Sequence, residues 1–588
     1  MTVSPPTGIW HWVPGAWVIR RYQREWLTSD LVAGVVLTAL LVPQGMAYAE
    51  LAGLPPVTGL YTTIACLVAY AIFGPSRILM LGPDSALGPL IAAVILPLAG
   101  AGGDPSKAIA LAGALACMVG AIAVVAGVAR LGYVTDLLSM PVRVGYLNGI
   151  AIVIVIGQLP KLFGITVKGG GLLREAAEFV RGVADGRTNA TALALGVGSM
   201  VVIVACRRWA PRIPGVLLAV VGSIVVVAVF GLTSEGISVV GVLPQGLPTF
   251  SIPSVPASDL LPLFAGALGI AFVSLADTSA TSQAFAARNG YTVDPNQELI
   301  GVGGANVAAG LLQGFPVSSS ASRTAVAERS GAKTEVTGLV GAALICALLL
   351  FAPSLVQDLP SAVLAAIVIV AATSLVEIGQ LKTLLRVRRR DFGLSIACTL
   401  GVAFFGVLWG IAIAIGLSLA DFVWRAWHPY DAVLGRIQGR KGYHDGSRHP
   451  EARQVPGLLL YRFDAPLFFA NANVFRTHVR HLVRDAEPPV IWLVVAAEPI
   501  TDVDTTAAEM LWELDEDLEH RGIELAFAEM KGPVKDRLER YGLRARVGAE
   551  RFYPTVGTAV KAYLEHTGAP WVDWEEAPWE EEGSPPSP

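Results

Sequence analysis

Fourteen apolar segments follow one another between Leu31 and Trp427, and they restrict this chain to a small set of folds. A helix needs about 20 apolar residues to cross a bilayer, and backbone inside lipid must satisfy its own hydrogen bonds. The segments begin near residues 31, 59, 85, 107, 138, 190, 214, 262, 297, 321, 336, 360, 391 and 408. Those near 85 and 321 are too short to cross alone. We therefore expect an α-helical polytopic membrane protein.

Composition separates a membrane part from a water-soluble part. Charged residues make up 15% of the 588 residues, whereas soluble proteins average about 25%. We predict a cytoplasmic segment at 1–30, a membrane domain at 31–427, a soluble domain with its linker at 428–566, and an acidic, disordered tail at 567–588. The net charge of −4 gives no indication of nucleic-acid binding, so membrane lipid is the expected surrounding.

Basic residues indicate which loops face the cytoplasm. They follow even-numbered segments, as at Arg77, at Arg130 and in the run at 386–390, whereas most other loops are uncharged or acidic. By the positive-inside rule, both termini and the loops after even-numbered segments are cytoplasmic. The stretch from Lys161 to Arg187 mixes both signs, and we expect a surface helix there. No cleavable signal is expected, and the inner or plasma membrane is the expected location.

Several classes of chemistry have no support in the sequence. The five cysteines lie far apart, in or beside apolar segments, and are expected to be small core residues. All eight histidines lie outside the apolar region, so proton chemistry inside the membrane would have to use carboxylates. No GxxxxGK[ST] motif for ATP occurs. We expect no enzyme activity and no resident cofactor, apart from a possible Na⁺ ion.

An internal repeat relates the two halves of the apolar region. Ala47–Gly53 and Ala284–Gly290 share the pattern Ala-aromatic-Ala-x-x-x-Gly at an offset of 237 residues. The same offset places Ser85 on Ser322, at the openings of the two short segments. Seven segments separate the paired elements, and because seven is odd the second half must be inverted relative to the first. We predict a seven-plus-seven inverted repeat.

The two short segments are the predicted anion site. Helix-breaking residues precede them, in Leu81–Ser85 and in Gly314–Arg323. Non-helical backbone at membrane depth is tolerated only in protein or around a wet cavity, and a helix that begins there points free N–H groups into that cavity. Ser85, Ser320 and Ser322 can cap these helices or donate to an anion.

Charged and polar residues near these segments are candidates for binding and coupling. Arg323 attracts or binds the anion, or it forms a structural ion pair. Asp277 has no basic residue within ten positions, so it should be protonated, bound to a cation or paired across the fold. Thr281 lies one turn later, and together the two offer oxygens to Na⁺ or to a shared proton. Gln44, which the offset maps onto Thr281, lines the cavity or bonds between helices. Three further carboxylates near segment ends are expected to be solvated or salt-bridged: Glu50, Asp84 and Glu298.

The chain resembles the SulP family, the sulfate permease or solute carrier 26 anion transporters, over about residues 15–566. The motifs that carry the resemblance are Val42–Ala49 with Gly53–Pro56, Gly82–Ser85 and Gly314–Ala325. It implies fourteen spans in inverted repeats, a core domain that moves against a gate domain, and a homodimer. It also implies an anion held between two helix starts, by Ser85, Ala86, Leu87, Ala321, Ser322 and Arg323.

The resemblance leaves the substrate and the coupling ion open. In bicarbonate carriers of this family an Asp with a Thr four residues later binds Na⁺, as Asp277 and Thr281 would, whereas other members have Glu there and are thought to use H⁺. Arg323 instead resembles sulfate and dicarboxylate members. Our leading expectation is a secondary active transporter of a small oxyanion, with sulfate preferred, coupled to H⁺ or Na⁺. The alternatives are Na⁺-coupled bicarbonate uptake, H⁺-coupled dicarboxylate uptake, and an anion channel or sensor that signals through the soluble domain.

The soluble domain is predicted to be a small α/β fold, because short apolar runs alternate with amphipathic helices. The predicted strands are Leu458–Phe463, Leu467–Ala470, Val490–Ala497 and Ile523–Ala528. The domain resembles the STAS domain of sulfate transporters and anti-sigma factor antagonists, and Asp502–Ala507 matches its helix-start motif. Thr506 stands where antagonists are phosphorylated, whereas Asp504 as a helix N-cap explains the segment without regulation. A protein partner of this domain is a further possibility.

Overall fold

The chain folds into two compact units, Met1–Ser418 and Leu419–Pro588. The computed structural model describes residues 8–100, 104–132, 139–167, 172–210 and 214–571. The predicted acidic tail at 567–588 therefore lies mostly outside the described residues. The first unit is helical apart from two very short strands, and the second contains a six-stranded sheet.

Helices occupy all fourteen predicted segments. In chain order the helices are α1 Pro14–Arg20, α2 Leu27–Leu51, α3 Pro56–Phe73, α4 Gly88–Ala99, α5 Pro105–Val128, α6 Met140–Leu162, α7 Leu172–Ala184, α8 Ala190–Trp209, α9 Gly215–Phe230, α10 Ala257–Arg288, α11 Pro295–Leu311, α12 Ala321–Arg329, α13 Val336–Phe351, α14 Ser361–Thr373, α15 Ile378–Val387, α16 Arg389–Phe405 and α17 Val407–Trp427. All except α1, α7 and α15 coincide with predicted segments. Among the described residues, seven helical stretches are long and apolar enough to cross a membrane by themselves. The prediction of a multi-spanning helical protein is confirmed, and α7 is the surface helix expected between Lys161 and Arg187.

The membrane helices pack as two bundles, each of which takes helices from both halves of the sequence. The core bundle consists of α2–α5 and α10–α13. The gate bundle consists of α6–α9 and α14–α17, with α7 packed on α6 and α15 on α16. Helix α17 packs on α16, where Gly410 lies against Val402. The bundles meet where α2 contacts α9 and α14, and where α4 contacts α6. This mixed membership is what an inverted repeat produces, because equivalent helices from the two halves lie in the same bundle.

Glycines on α5 and α11 let these two core helices approach closely. A Cβ atom added to Gly113 or Gly120 of α5 would lie 2.9 or 2.6 Å from a backbone oxygen of α11. A Cβ atom added to Gly303 or Gly310 of α11 would likewise lie 2.8 or 2.5 Å from a backbone oxygen of α5. Both pairs are spaced by seven residues, so they lie on one face of each helix. Small residues at such contacts are typical of helix pairs within membranes.

Two two-residue strands connect the halves of the core bundle. They are β1 Leu81–Gly82, before α4, and β2 Ser318–Ser319, before α12, and they pair in antiparallel orientation.

The second unit contains a sheet with helices on both faces. Its strands are β3 Asp431–Arg436, β4 Tyr443–Asp445, β5 Leu458–Phe463, β6 Trp492–Ala496, β7 Glu524–Ala528 and β8 Phe552–Tyr553. Its helices are α18 Ala472–Arg484, α19 Thr505–His520, α20 Gly532–Arg540, α21 Leu543–Val547 and α22 Val556–Thr567. The strand order is β4-β3-β5-β6-β7-β8, with β5 to β8 parallel. In β6, Leu493 and Val495 face one hydrophobic cluster while Trp492 and Val494 face the other, which explains its uninterrupted apolar sequence.

The predicted strand at Leu467–Ala470 is wrong. Only Leu467 makes a bridge, to Val503. The amides of Phe468 and Phe469 donate instead to the side chains of Asn471 and Asp504, at 3.0 and 2.8 Å. Because side-chain acceptors from Asn471 and from the start of α19 satisfy these N–H groups, the segment forms a turn before α18 and not a ladder.

Candidate anion site between two broken helices

Strands β1 and β2 bring the two predicted short segments side by side. Their register pairs Leu81 with Ser319 and Gly82 with Ser318. The repeat offset of 237 residues places Leu81 on Ser318 and Gly82 on Ser319, so the ladder is related to itself by the pseudo-twofold axis. The helices that follow these strands, α4 and α12, therefore begin close together.

Polar side chains of α10 and α11 support the second break. The Ser274 hydroxyl donates to the Val317 carbonyl at 2.9 Å, and the Ser319 amide donates to Thr278 Oγ1 at 3.2 Å. Asn306 of α11 accepts from the Val317 amide at 2.9 Å. All these residues are at most 3% exposed. They satisfy backbone groups that a broken helix leaves without partners, and their only trace in the sequence is the polar spacing of Ser274 and Thr278 along an apolar helix.

The first break is an irregular turn. Ser85, Ala86 and Leu87 precede α4, which begins at Gly88, and their exposed fractions are 5%, 7% and 1%. The Asp84 carboxylate accepts from the Ala86 amide at 3.0 Å, and Tyr48 of α2 interacts with Ser85. The three predicted residues thus lie in the turn that leads into the helix, largely covered by protein.

The start of α12 is more open. Ser320 is the N-cap and accepts from the Arg323 amide at 3.4 Å, while its hydroxyl lies 3.0 Å from that of Ser322. Ala321 and Ser322 are exposed. Their amides belong to the first turn, where no intrahelical acceptor exists. An anion could therefore reach two amides and the Ser322 hydroxyl at the positive end of this helix.

Arg323 lies between the two breaks and is 1% exposed. Its guanidinium donates from Nη1 to the Pro83 carbonyl and lies against Gly82, where an added Cβ would be 3.2 Å from Cζ. Within the described residues, Nε and Nη2 have no hydrogen-bond partner. The Asp84 carboxylate interacts electrostatically with this guanidinium but forms no direct ion pair with it. Since a buried guanidinium is costly unless negative charge compensates it, the two free donor atoms make the space between the breaks favourable for an anion.

Asp277 and Thr281 lie on α10, the helix that supports the second break. Asp277 is half-buried and interacts electrostatically with Asp84 and with Arg143 of α6. Thr281 is 8% exposed. Neither side chain has a hydrogen bond to a described residue, and the same is true of the half-buried Gln44 amide on α2. Their polar atoms are therefore available to a ligand.

Sequence reasoning missed Arg143. It lies in the first turn of α6, in the gate bundle, and its Nε atom is buried without a hydrogen-bond partner among the described residues. Its charge acts on Asp277 and on the buried Tyr146. The only available signal was a cation inside the opening of the fifth apolar segment. Arg143 places a positive charge from the gate bundle beside carboxylates of the core bundle.

Of the three carboxylates near segment ends, Glu50 and Glu298 can be compared directly with the prediction of a solvated or salt-bridged side chain. Glu50 forms the expected salt bridge, with Lys161 at 2.9 Å. The prediction for Glu298 is wrong, because this residue is 1% exposed and has no ion pair among the described residues. It accepts from the Tyr70 hydroxyl at 2.6 Å and from the Ser282 hydroxyl at 2.5 Å. The close packing of α3, α10 and α11 encloses Glu298 and supplies these donors from other helices.

Nothing in the described residues resembles a transition-metal centre. No three His, Cys, Asp or Glu side chains among them form a metal-binding group, and all five cysteines are free. A Na⁺ ion takes oxygen ligands, and Asp277 and Thr281 provide a carboxylate and a hydroxyl with no competing hydrogen bond. These residue types fit a monovalent cation.

In the second unit, Asp504 is the N-cap of α19 and accepts from the Ala507 amide at 2.8 Å. Thr506 is exposed in the first turn of that helix. The geometry explains the Asp504 side chain by capping and leaves the Thr506 hydroxyl accessible.

Comparison with known proteins agrees with this architecture. The sequence model of the sulfate permease family matches residues 27–398, and that of the STAS domain matches residues 449–559. The chain belongs to the sulfate permease family. It is therefore a membrane anion transporter and not an enzyme, as the sequence predicted.

Curated members of the sulfate permease family align over nearly the whole chain. A protein of Mycobacterium tuberculosis named "Probable sulfate transporter" is 42% identical over 94% of this chain and 98% of its own length. The chloroplastic sulfate transporter 4.1 of Arabidopsis thaliana is 33% identical over 93% of this chain and 82% of its own.

Solved structures show the same fold. Murine solute carrier 26 family member A9, an anion transporter described in an inward-facing state, aligns with a TM-score of 0.87 at 22% identity, over 95% of this chain and 94% of that one. The fold prediction of an inverted-repeat membrane domain with core and gate parts and a STAS domain is thereby confirmed.

Proposed function

We propose that this sulfate permease family member is a secondary active transporter that takes up sulfate together with a cation, H⁺ or Na⁺. The observation that carries the proposal is the buried Arg323 guanidinium, which lies between two paired helix breaks beside the open first turn of α12. Relatives at 42% and 33% identity are named sulfate transporters, which favours sulfate over other anions.

The proposed binding mode follows from the geometry of the breaks. A sulfate ion carries two negative charges and four acceptor oxygens. The amides of Ala321 and Ser322, with the Ser322 hydroxyl, donate hydrogen bonds from one side, and the turn at Ser85–Leu87 closes the other. Arg323 contributes charge from behind the site, and Gln44 contributes an amide from α2. Charge-assisted hydrogen bonds of this kind are the strong ones.

The proposed coupling depends on Asp277. It interacts electrostatically with Asp84, which repels it, and with Arg143, which attracts it. A cation bound at Asp277 relieves the repulsion between the two carboxylates and lowers the negative potential beside the anion site. Sulfate and the cation therefore favour each other's binding, which is the thermodynamic requirement for symport.

The proposed transport cycle moves the core bundle against the gate bundle. The breaks, Arg323 and Asp277 all belong to the core bundle, whereas Arg143 belongs to the gate bundle. Movement would carry the site from one membrane face to the other. We further propose a homodimer in the inner or plasma membrane with cytoplasmic termini, and a STAS domain that binds a regulatory protein partner, with Thr506 as a modification site.

The test is uptake of labelled sulfate by the full-length protein in proteoliposomes. Sulfate should accumulate above its equilibrium level when an inward H⁺ or Na⁺ gradient is imposed, and unlabelled sulfate should compete better than bicarbonate or dicarboxylates. If neither gradient drives accumulation, the proposal fails. Accumulation of bicarbonate or a dicarboxylate in place of sulfate would overturn the substrate, and purely downhill flux would indicate a channel.

A further inference from the structure

Helix α15 carries an exposed cluster of positive charge at the edge of the gate bundle. It joins the membrane helices α14 and α16. Lys382 and Arg386 lie on it, and the run Arg388–Arg390 follows directly. All five side chains are exposed. Because a short helix between two spanning helices lies close to the membrane surface, this charge faces the headgroup region of one leaflet.

Four of these cations have no acidic partner among the described residues. Among the described residues only Arg388 lies near a carboxylate, that of Asp391 at 3.8 Å. The soluble unit behaves differently, since its arginines are mostly paired, as Arg480 is with Asp517 at 2.9 Å and Arg546 with Asp515 at 2.8 Å. Lys382, Arg386, Arg389 and Arg390 therefore remain available to external anions, whereas most arginines of the soluble unit are already paired.

Apolar side chains accompany the cluster. Ile378, Leu385 and Val387 are 56%, 48% and 76% exposed, whereas Leu384 is buried against the bundle. In water, exposed apolar side chains on so short a helix would be unfavourable. At a bilayer surface they enter the boundary between headgroups and acyl chains while the long cationic side chains extend to the phosphates.

The amphipathic helix at the corresponding place in the other half provides a contrast. Helix α7 joins α6 to α8 as α15 joins α14 to α16, and the inverted repeat puts the two on opposite membrane faces. On α7 the cations Arg174 and Arg181 are balanced by Glu175 and Glu178, and Arg174 pairs with Glu178 at 3.0 Å. Of these two connecting helices, α15 alone combines exposed apolar side chains with unbalanced positive charge in the part of the chain that the structure describes.

We propose that α15 and the following run Arg389–Arg390 form a binding site for anionic phospholipid headgroups in the leaflet that α15 faces. The phosphates bind Lys382, Arg386, Arg389 and Arg390, while Ile378, Leu385 and Val387 insert at the acyl boundary. By the positive-inside rule this is the cytoplasmic leaflet. Since α15 packs on α16 of the gate bundle, the bound lipids anchor that bundle at the membrane surface.

The test compares lipid retention by matched variants of the full-length protein. Purified protein is reconstituted into vesicles of equimolar phosphatidylcholine and phosphatidylglycerol, re-extracted with detergent, and its bound lipids are quantified by mass spectrometry. One variant carries Lys382→Gln, Arg386→Gln, Arg389→Gln and Arg390→Gln. The control carries Arg174→Gln and Arg181→Gln on α7, and a charge-preserving variant carries Arg386→Lys, Arg389→Lys and Arg390→Lys.

The wild type should retain phosphatidylglycerol preferentially. Each cation near an anionic surface strengthens binding about fivefold. Even if the four contributions add only in part, the variant without these four charges should lose about tenfold or more of this preference. The α7 control and the charge-preserving variant should keep it. Equal retention of both lipids by wild type, an unchanged preference after neutralisation, or an equal loss in the α7 control would each overturn the proposal. If the neutralised variant does not fold, Lys382→Gln with Arg386→Gln should lose part of the preference, and no loss there overturns it too.

Discussion

Arg323 donates a hydrogen bond to the carbonyl oxygen of Pro83, so a cation of α12 is bonded to the backbone of the break before α4. The two residues are 240 positions apart and belong to opposite halves of the inverted repeat. The halves are thereby joined at their pseudo-twofold axis by a backbone ladder and by a charged side chain. A change at Arg323 should affect anion binding and the relative placement of both helix starts.

Replacing Arg323 by Gln should raise the half-saturation constant for sulfate uptake by about tenfold or more. A hydrogen bond to a charged group contributes about 1.5–3 kcal/mol, and the substitution also removes the charge. Arg323→Lys should fall between wild type and Gln, since it keeps the charge and loses the planar fork. Arg329→Gln, at the exposed end of the same helix, is the control. A folded Arg323→Gln protein with wild-type half-saturation would contradict the assignment.

Asp277→Asn should abolish cation-driven accumulation of sulfate while leaving the protein folded. The amide has nearly the shape of the carboxylate but cannot hold a proton as an acid or neutralise a cation. Accumulation under an imposed gradient is the measurement, and downhill exchange of labelled sulfate shows whether the site still binds. Asp259→Asn, in the first turn of the same helix, should remain coupled. Full accumulation by Asp277→Asn would rule out its role.

Thr281→Val should separate the two candidate coupling ions. The hydroxyl of Thr281 is a ligand only for Na⁺, because a proton needs no second ligand from this position. If Na⁺ drives uptake, the half-saturation constant for Na⁺ should rise by about tenfold or more, the effect expected from loss of an interaction of about 1.5 kcal/mol with a charged group. If H⁺ drives uptake, the variant should accumulate sulfate normally. If Na⁺ drives uptake and the half-saturation constant for Na⁺ is unchanged in this variant, Thr281 is not a ligand.

Tyr70→Phe should lower thermal stability more than Tyr61→Phe. Both tyrosines are buried on α3, but Tyr70 donates to Glu298 at 2.6 Å, whereas Tyr61 has no hydrogen bond to a described residue. Loss of the Tyr70 hydroxyl leaves a buried carboxylate oxygen without its donor, which costs about 1–3 kcal/mol. Thermal denaturation in detergent measures the difference. Equal stability of the two variants would mean that Glu298 does not depend on this donor.

The sequence predicted the two helix breaks of the candidate anion site, but it did not predict the contacts that hold them in place. Helix breakers and the repeat pointed to both short segments, because Gly, Pro and Ser act on the local backbone. The supports come from distant positions: Thr278 reaches Ser319, and Tyr70 reaches Glu298 across 228 residues. Because Glu298 lies near the end of an apolar segment, the sequence predicted a solvated or salt-bridged side chain, whereas tertiary packing buries it. Periodicity carries no information about such partners.

In the soluble domain, too, an apolar run in the sequence does not reveal which partners it meets in the fold. Strands β5, β6 and β7 follow from apolar runs, since each is buried by sheet packing. The apolar run after Leu467 looks similar, yet it forms a turn because Asn471 and Asp504 offer acceptors to its amides. Strand β3, which sequence reasoning missed, begins four residues after α17 and pairs antiparallel with β5. Its short alternating pattern becomes recognisable only once its partner is known.

Asp504→Ala should loosen two segments of the STAS domain at once. Its carboxylate accepts from the Ala507 amide at 2.8 Å, which caps α19, and from the Phe469 amide at 2.8 Å, which fixes the turn before α18. Loss of an N-cap costs about 0.5–2 kcal/mol, so amide hydrogen exchange at both positions should accelerate by roughly tenfold in the full-length protein. Asp485→Ala removes an exposed carboxylate whose ion pair is with the adjacent Arg484, and it should leave both amides protected. Protection of Phe469 and Ala507 that survives in Asp504→Ala would show that neither segment depends on this carboxylate. The match of Asp502–Ala507 to the helix-start motif of STAS domains would then be better explained by Thr506 than by capping.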